Sequence, residues 1–134
     1  SYRKTIMCHD GAIPWLITNG KERREIHKIE ELESYLISKY GDKVKSVHLE
    51  LLSFEQQVRY FNNAKCIIAS HGGGLANLFF CEKDTKVIEI IDTNFQYPMF
   101  TFISQVLGLN HVQCRTNIIG MIKKFVDENI DGKI

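Results

Sequence analysis

Residues 66–80 read "CIIASHGGGLANLFF", and this stretch decides the fold. A hydrophobic run breaks into Ser-His-Gly-Gly-Gly and turns at once into a second hydrophobic run. Glycine inside a regular element costs roughly 0.5–1 kcal/mol relative to alanine, so three in a row mark a place where backbone shape outweighs packing. The pattern predicts a buried strand, "CIIAS", then a tight loop, then a short helix over residues 75–81.

Working outward, the same alternation continues on both sides. Upstream, "IPWLIT" (residues 13–18) reads as a strand, and Ile26, Ile29, Leu32, Leu36, Ile37 and Tyr40 recur at helical spacing until Gly41-Asp42 ends the run. "VKSVHL" (44–49) reads as another strand. Ser53 and Gln56 then form a Ser-x-x-Gln capping box, opening a helix with Val58 and Phe61 on its inward face. Downstream, "KVIEII" (86–91) is a strand, and residues 98–107 make a helix closed by Gly108. A weak strand at 109–114 precedes a helix from about residue 116 to 126. Apolar strands alternating with amphipathic helices imply a mainly parallel sheet covered on both faces. The expected fold class is therefore α/β, a three-layer α/β/α sandwich of Rossmann-like type. Residues 1–12 read as an N-terminal arm or linker and residues 13–134 as one domain.

Length and composition narrow the function classes. The chain's 134 residues suffice for one hydrophobic core and not two. A formal charge of +1 supplies no overall field for nucleic acid or an anionic membrane, so any anion site must be local. No apolar run reaches the 18 or so residues of a membrane-spanning helix. Cys8, Cys66, Cys81 and Cys114 show no metal-ligand spacing, so no metal site is expected, and they read as buried free thiols.

In an open α/β sheet the ligand crevice lies beyond the C-terminal ends of the strands, and residues 70–74 form such a loop. Unpaired N–H groups and the positive end of a helix starting near Gly74 would face an anion there, and glycines let a phosphate approach. A bland alternative is a tight strand-to-helix crossing in which the glycines only relieve crowding. Two chemical alternatives share the loop. Gly72-x-Gly74-x-x-Asn77, with Asp92 as a ribose-binding acid, approaches a dinucleotide fingerprint, although Asn77 replaces the third glycine. Ser70, Asp92 and His111 follow the chain order of an α/β-hydrolase triad, but Ile68 stands where the first glycine of the nucleophile elbow belongs.

A longer pattern supplies a third reading. Residues 53–90 place Ser53, Phe54, Gln57, Ala64, His71, Gly72, Gly74, Leu75, Asn77, Phe80 and Glu89 at spacings that resemble glycosyltransferase family 61, with Gly73 where that family usually has alanine. The upstream segment "ITNGKERREIHKIEEL" resembles the family's arginine-bearing segment, with Thr18-Asn19 in place of Ser-Arg. The resemblance implies the C-terminal half of a GT-B enzyme, two Rossmann-like halves facing a cleft. It implies an inverting transferase with a nucleotide sugar, typically a UDP-sugar, as substrate and no permanently bound cofactor.

The donor contacts it implies are Asn19, Arg23, Arg24, His71, Gly72, Gly73, Gly74, Leu75, Asn77 and Glu89. Arg23 or Arg24 would pair with the diphosphate, His71 would donate to phosphate or sugar, Asn77 would bond back to the loop, and Glu89 would hold a ribose hydroxyl or a loop N–H. Tyr97 and Phe95 are candidates to stack on uracil. The glycan or protein acceptor and the catalytic base are expected on another half, so this chain alone would bind donor without transferring sugar. The resemblance places a eukaryotic member in the ER or Golgi lumen and a bacterial or viral one in the cytoplasm.

Overall fold

A computed structural model describes residues 5–8, 15–18, 29–47, 52–70, 73–91, 98–116 and 118–130. In chain order they form β1 (Thr5–Cys8), β2 (Trp15–Thr18), α1 (Ile29–Tyr40), β3 (Val44–Val47), α2 (Phe54–Asn63), β4 (Cys66–Ser70), a 3-10 helix (Gly73–Phe80), β5 (Lys86–Ile90), α3 (Met99–Leu107), β6 (Asn110–Cys114) and α4 (Ile119–Ile130). The strands make one sheet in the order β3-β1-β2-β4-β5-β6. Strands β2, β4, β5 and β6 are mutually parallel, with Ser70 opposite Ile90 and Ile90 opposite Cys114 at their C-terminal ends. The fold is α/β and Rossmann-like, as the alternation of elements predicts.

Strand periodicity builds the layers. Cys66 and Ile68 point to one face of β4, while Ile67 and Ala69 point to the other; Ile88 and Ile90 oppose Val87 on β5 in the same way. The first face is closed by Leu32 and Leu36 of α1 and by Ile122, Val126 and Ile130 of α4. Phe61 of α2, Leu78 of the 3-10 helix and Phe100 of α3 close the second. Every residue of β5 is buried, as a strand covered on both sides requires.

Local signals explain most boundaries. The capping box forms, with Gln56 N–H donating to Ser53 Oγ at 3.1 Å and Ser53 N–H to Gln56 Oε1 at 2.9 Å. Gly108 ends α3 with φ +75°, and its N–H bonds to the last turn of the helix. Helix α4 begins later than the sequence suggests. Ile118 N–H donates to Thr116 Oγ1 at 3.2 Å, a local turn that holds Thr116 outside the helix. The stripe Ile122, Val126, Ile130 then carries the helix four residues past residue 126.

One correction concerns the N-terminus. Thr5–Cys8, placed in an arm by the sequence reading, is strand β1 inside the sheet. It runs antiparallel to β2 and to β3, so the sheet is mixed although its body is parallel. Four residues are too few to display a period of two against the background of the chain, which is why the strand was not visible.

Candidate functional site

The parallel strands deliver three chain segments to one edge of the sheet. Strand β4 ends at Ser70, and the 3-10 helix starts at Gly73. A 3-10 helix bonds each N–H three residues back, so its first N–H groups have no partner within the helix and point out of its start. That start lies beyond the C-terminal end of β4, beside the matching ends of β5 and β6. The geometry is that of the ligand crevice in open α/β sheets.

Helix α2 holds the 3-10 helix by both ends. Asn77 Nδ2 donates to Gln57 Oε1 at 2.9 Å, and the Gln57 amide is itself oriented by donating to Leu52 O at 3.3 Å. At the far end Asn62 Nδ2 donates to Phe80 O at 3.2 Å, and the Phe54 and Phe80 rings meet edge to face with centroids 5.6 Å apart. Gln57 and Asn77 thus meet across twenty residues of sequence. Their bond fixes the helix that follows the glycines, a positioning role in place of the bond back to the loop that the sequence suggested.

Glu89 is fully buried on the α2–α3 face of β5. A carboxylate there requires partners, because desolvating an unpaired charge is prohibitive. His111 of β6 provides one, with Nε2 at 2.8 Å from Glu89 Oε1. Gln113, two residues along the same strand, donates to the same oxygen at 3.3 Å and to Thr101 Oγ1 of α3 at 3.1 Å. Ser104 Oγ of α3 lies 2.6 Å from His111 Nδ1. With Glu89 ionised, Nε2 carries the proton and Nδ1 accepts from the serine hydroxyl.

Ser104, His111 and Glu89 have the connectivity of a catalytic triad, but Ser104 has no exposed surface and sits inside a helix. Substrate has no route to it. Both ring nitrogens of His111 are engaged, so the hydrolase reading with Ser70 and Asp92 has no histidine left to act as base.

The remaining donor candidates divide by position. Asn19, Arg23, Arg24, His71, Gly72, Asp92, Phe95 and Tyr97 lie outside the described residues. Gly73, Gly74 and Leu75 form the first turn of the 3-10 helix. The nearby thiols are unreactive: burial pushes Cys81 up to about 12 and Cys114 up to about 11, far from the thiolate range. A cleft of about 270 Å³ lined by Asn62, Lys65, Glu82 and Asp84 opens where β4 and β5 begin, at the opposite edge of the sheet from the glycine loop. No helix among the described residues is long and apolar enough to cross a membrane.

Sequence reasoning missed Thr101, Ser104, Gln113 and Arg115. A signal was present in "HVQCR", residues 111–115, where His111, Gln113 and Arg115 alternate with apolar residues in a strand expected to be buried. Alternation of that kind sets polar groups on a single face.

Known proteins share these segments. The family model described as Glycosyltransferase 61 matches residues 15–88, from β2 through the glycine loop into β5. A beta-1,2-xylosyltransferase of Arabidopsis thaliana is 30% identical over 104 residues, which are 77% of this chain and 20% of that protein. Beta-1,2-xylosyltransferase RCN11 of Oryza sativa subsp. japonica is 35% identical over 60 residues, 45% of this chain and 11% of that protein. The chain thus spans about a fifth or less of the length of these relatives.

Proposed function

Because the chain belongs to glycosyltransferase family 61, we propose that it binds the nucleotide-sugar donor, a UDP-sugar, for an inverting transferase of GT-B architecture. The observation that carries this reading is the start of the 3-10 helix at Gly73, at the C-terminal edge of the parallel strands and inside the family-matched residues. Gly72, Gly73, Gly74 and Leu75 present backbone N–H groups to the diphosphate, and His71 donates beside them. Asn19, Arg23 and Arg24 approach from the segment after β2, whose C-terminal end lies on the same edge.

Transfer builds negative charge on the departing UDP as the sugar's anomeric bond breaks. Preorganised N–H donors, the end of a helix and a guanidinium offset that charge without a metal. The acceptor hydroxyl and its base come from a facing half, so transfer needs more than this chain. The relatives' names point to a pentose, xylose, as the sugar and to a glycan hydroxyl as the acceptor. A member that modifies glycans on a eukaryotic secretory route works in the ER or Golgi lumen.

Thermal unfolding with millimolar UDP, UDP-xylose and NAD tests the reading. At one hundred times its dissociation constant a ligand adds about 2.7 kcal/mol of stability. For a domain of this size that is a rise on the order of 5 to 15 °C in Tm. A rise with NAD and none with either uridine nucleotide would move the chain to the dinucleotide class.

A further inference from the structure

A line of polar side chains crosses the layer between α3 and the sheet and ends at the edge that holds the glycine loop. It starts at Ser104 and His111, passes through Glu89 and Gln113, and ends at Arg115. Around it the layer is apolar, with Val87, Phe100 and Leu109 buried beside it. Buried polar groups need complete pairing and add little net stability, so a line of them leading to a surface cation calls for a purpose beyond packing.

The bonding fixes the last two members. Both N–H donations of the Gln113 amide go inward, to Glu89 and Thr101. Its Oε1 is thereby turned outward, and it accepts from Arg115 Nη2 at 2.8 Å. Arg115 is exposed and follows directly on β6. Its bond to Gln113 keeps the guanidinium on the face of the sheet that carries the 3-10 helix. Strands β4 and β6 flank β5, so Arg115 starts two strand spacings, roughly 10 Å, from the end of β4 where the glycine loop begins. A diphosphate held at the loop lies between the two.

We propose that Arg115 is a donor-binding residue that contacts the diphosphate of the nucleotide sugar, with Gln113 as the positioning residue that Glu89 and Thr101 hold in register. The inference rests on the donor-binding reading above. It adds a cation supplied by β6, beyond the family-matched residues 15–88. A guanidinium suits the role because its planar fork matches phosphate oxygens, and a fixed plane loses less freedom on binding. Glu89 then acts through two bonds, inside the protein, and not on the ribose.

Calorimetric titration of the chain with UDP and with uridine tests this. Arg115→Gln weakens UDP about 10- to 100-fold, the loss expected for a hydrogen bond to a charged group, and leaves uridine nearly unchanged. Arg115→Lys falls between, since it restores charge without the fork. Gln113→Leu lowers UDP affinity and spares uridine, a selectivity that a merely structural defect would not produce. Arg115 is exposed, so its variants fold even where Gln113→Leu does not. Unchanged UDP affinity in Arg115→Gln, or an equal loss for uridine, overturns the inference while the donor reading stands. A wild-type chain that binds NAD and not UDP removes both.

Discussion

The two faces of the sheet are built from the same strands and filled differently. Against α1 and α4, strands β4 to β6 present Cys66, Ile68, Ile88, Ile90 and Cys114, all buried and all apolar. Against α2 and α3 the same strands present Ile67, Ala69 and Val87, but also Glu89, His111 and Gln113. The polar groups of the first side are pushed to its rim, where Asp127 of α4 accepts from Tyr35, Tyr40 and Lys39 of α1. On the second side they run through the interior toward the edge that carries the glycine loop. One face has its ionic groups at the surface, where they are cheap to solvate; the other has them inside, where each must be paired. The first face thus serves stability, and the second couples packing to a ligand edge.

The largest expected effect comes from breaking the interior network. Glu89→Ala leaves His111 and Gln113 buried without their shared acceptor and destabilises the fold by about 3–5 kcal/mol, as removal of one partner from a buried pair does. Urea denaturation measures it. Replacing Glu89 and His111 together by leucine recovers much of that loss, because an apolar pair of similar volume needs no partners. A double variant as unstable as the single one would show that the network stabilises the fold in its own right, and the contrast between the faces would lose its meaning.

Next comes the apolar face. Leu36→Ala removes a fully buried side chain and costs about 2–5 kcal/mol, depending on how far the site collapses. UDP affinity, corrected for the folded fraction, stays at the wild-type value. A loss of affinity in the folded variant would mean that the two faces are coupled.

Gly108 sharpens the comparison from the backbone. Its φ of +75° suits glycine, and a Cβ would meet Lys83 Cγ at 3.1 Å. Gly108→Ala costs roughly 1–2 kcal/mol for the left-handed conformation. It displaces the end of α3 and with it the entry to β6, so thermal unfolding shows a lower Tm and UDP titration a modest loss. An unchanged Tm would show that the helix end can rearrange freely.

How much of this was legible depended on where each signal resided. Strands β4 and β5 were plain because "CIIAS" and "KVIEI" are apolar on both faces, and α2 because its capping box is written in four consecutive residues. The end of α3 was plain because glycine at a helix terminus has one common meaning. The glycine loop was placed on the right edge, since the strand-helix alternation fixes which end of a parallel strand it follows. Strand β1 was hidden, being short and inserted antiparallel. The network was hidden for another reason: Glu89 meets His111 and Gln113 across 22 and 24 residues, and which polar residues share an interior becomes visible only once the strands are in register. Asn77 shows the same limit, because its spacing marked it as important while its partner on another helix defined what it does.

The smallest effect belongs to the rim of the apolar face and appears only in alkali. Lys39 has its pKa raised by the hydrogen bond to Asp127. Tyr35 is raised by the same carboxylate, and Tyr40 chiefly by burial and then by Asp127. Groups whose folded pKa exceeds the unfolded value contribute fully below the unfolded value and lose that contribution as pH rises through the folded one. The rim therefore contributes evenly at neutral pH, and its contribution declines from the ordinary tyrosine value of 10.0 upward. Cys81 and Cys114 obey the same sign from 9.0, being raised to about 12 and about 11 by burial. Asp127→Asn separates the two sources. It removes the acceptor charge shared by the tyrosines and the lysine, so the decline between pH 10 and 12 becomes shallower, while the cysteine part beginning near 9.0 persists. Exposure of the rim keeps the change small at neutral pH, as for other solvated ion pairs. Urea midpoints at half-unit steps from pH 8 upward measure both parts. An Asp127→Asn variant that loses as much stability at pH 8 as Glu89→Ala would place an essential ion pair on the face assigned to plain packing, and the division between the faces would have to be redrawn.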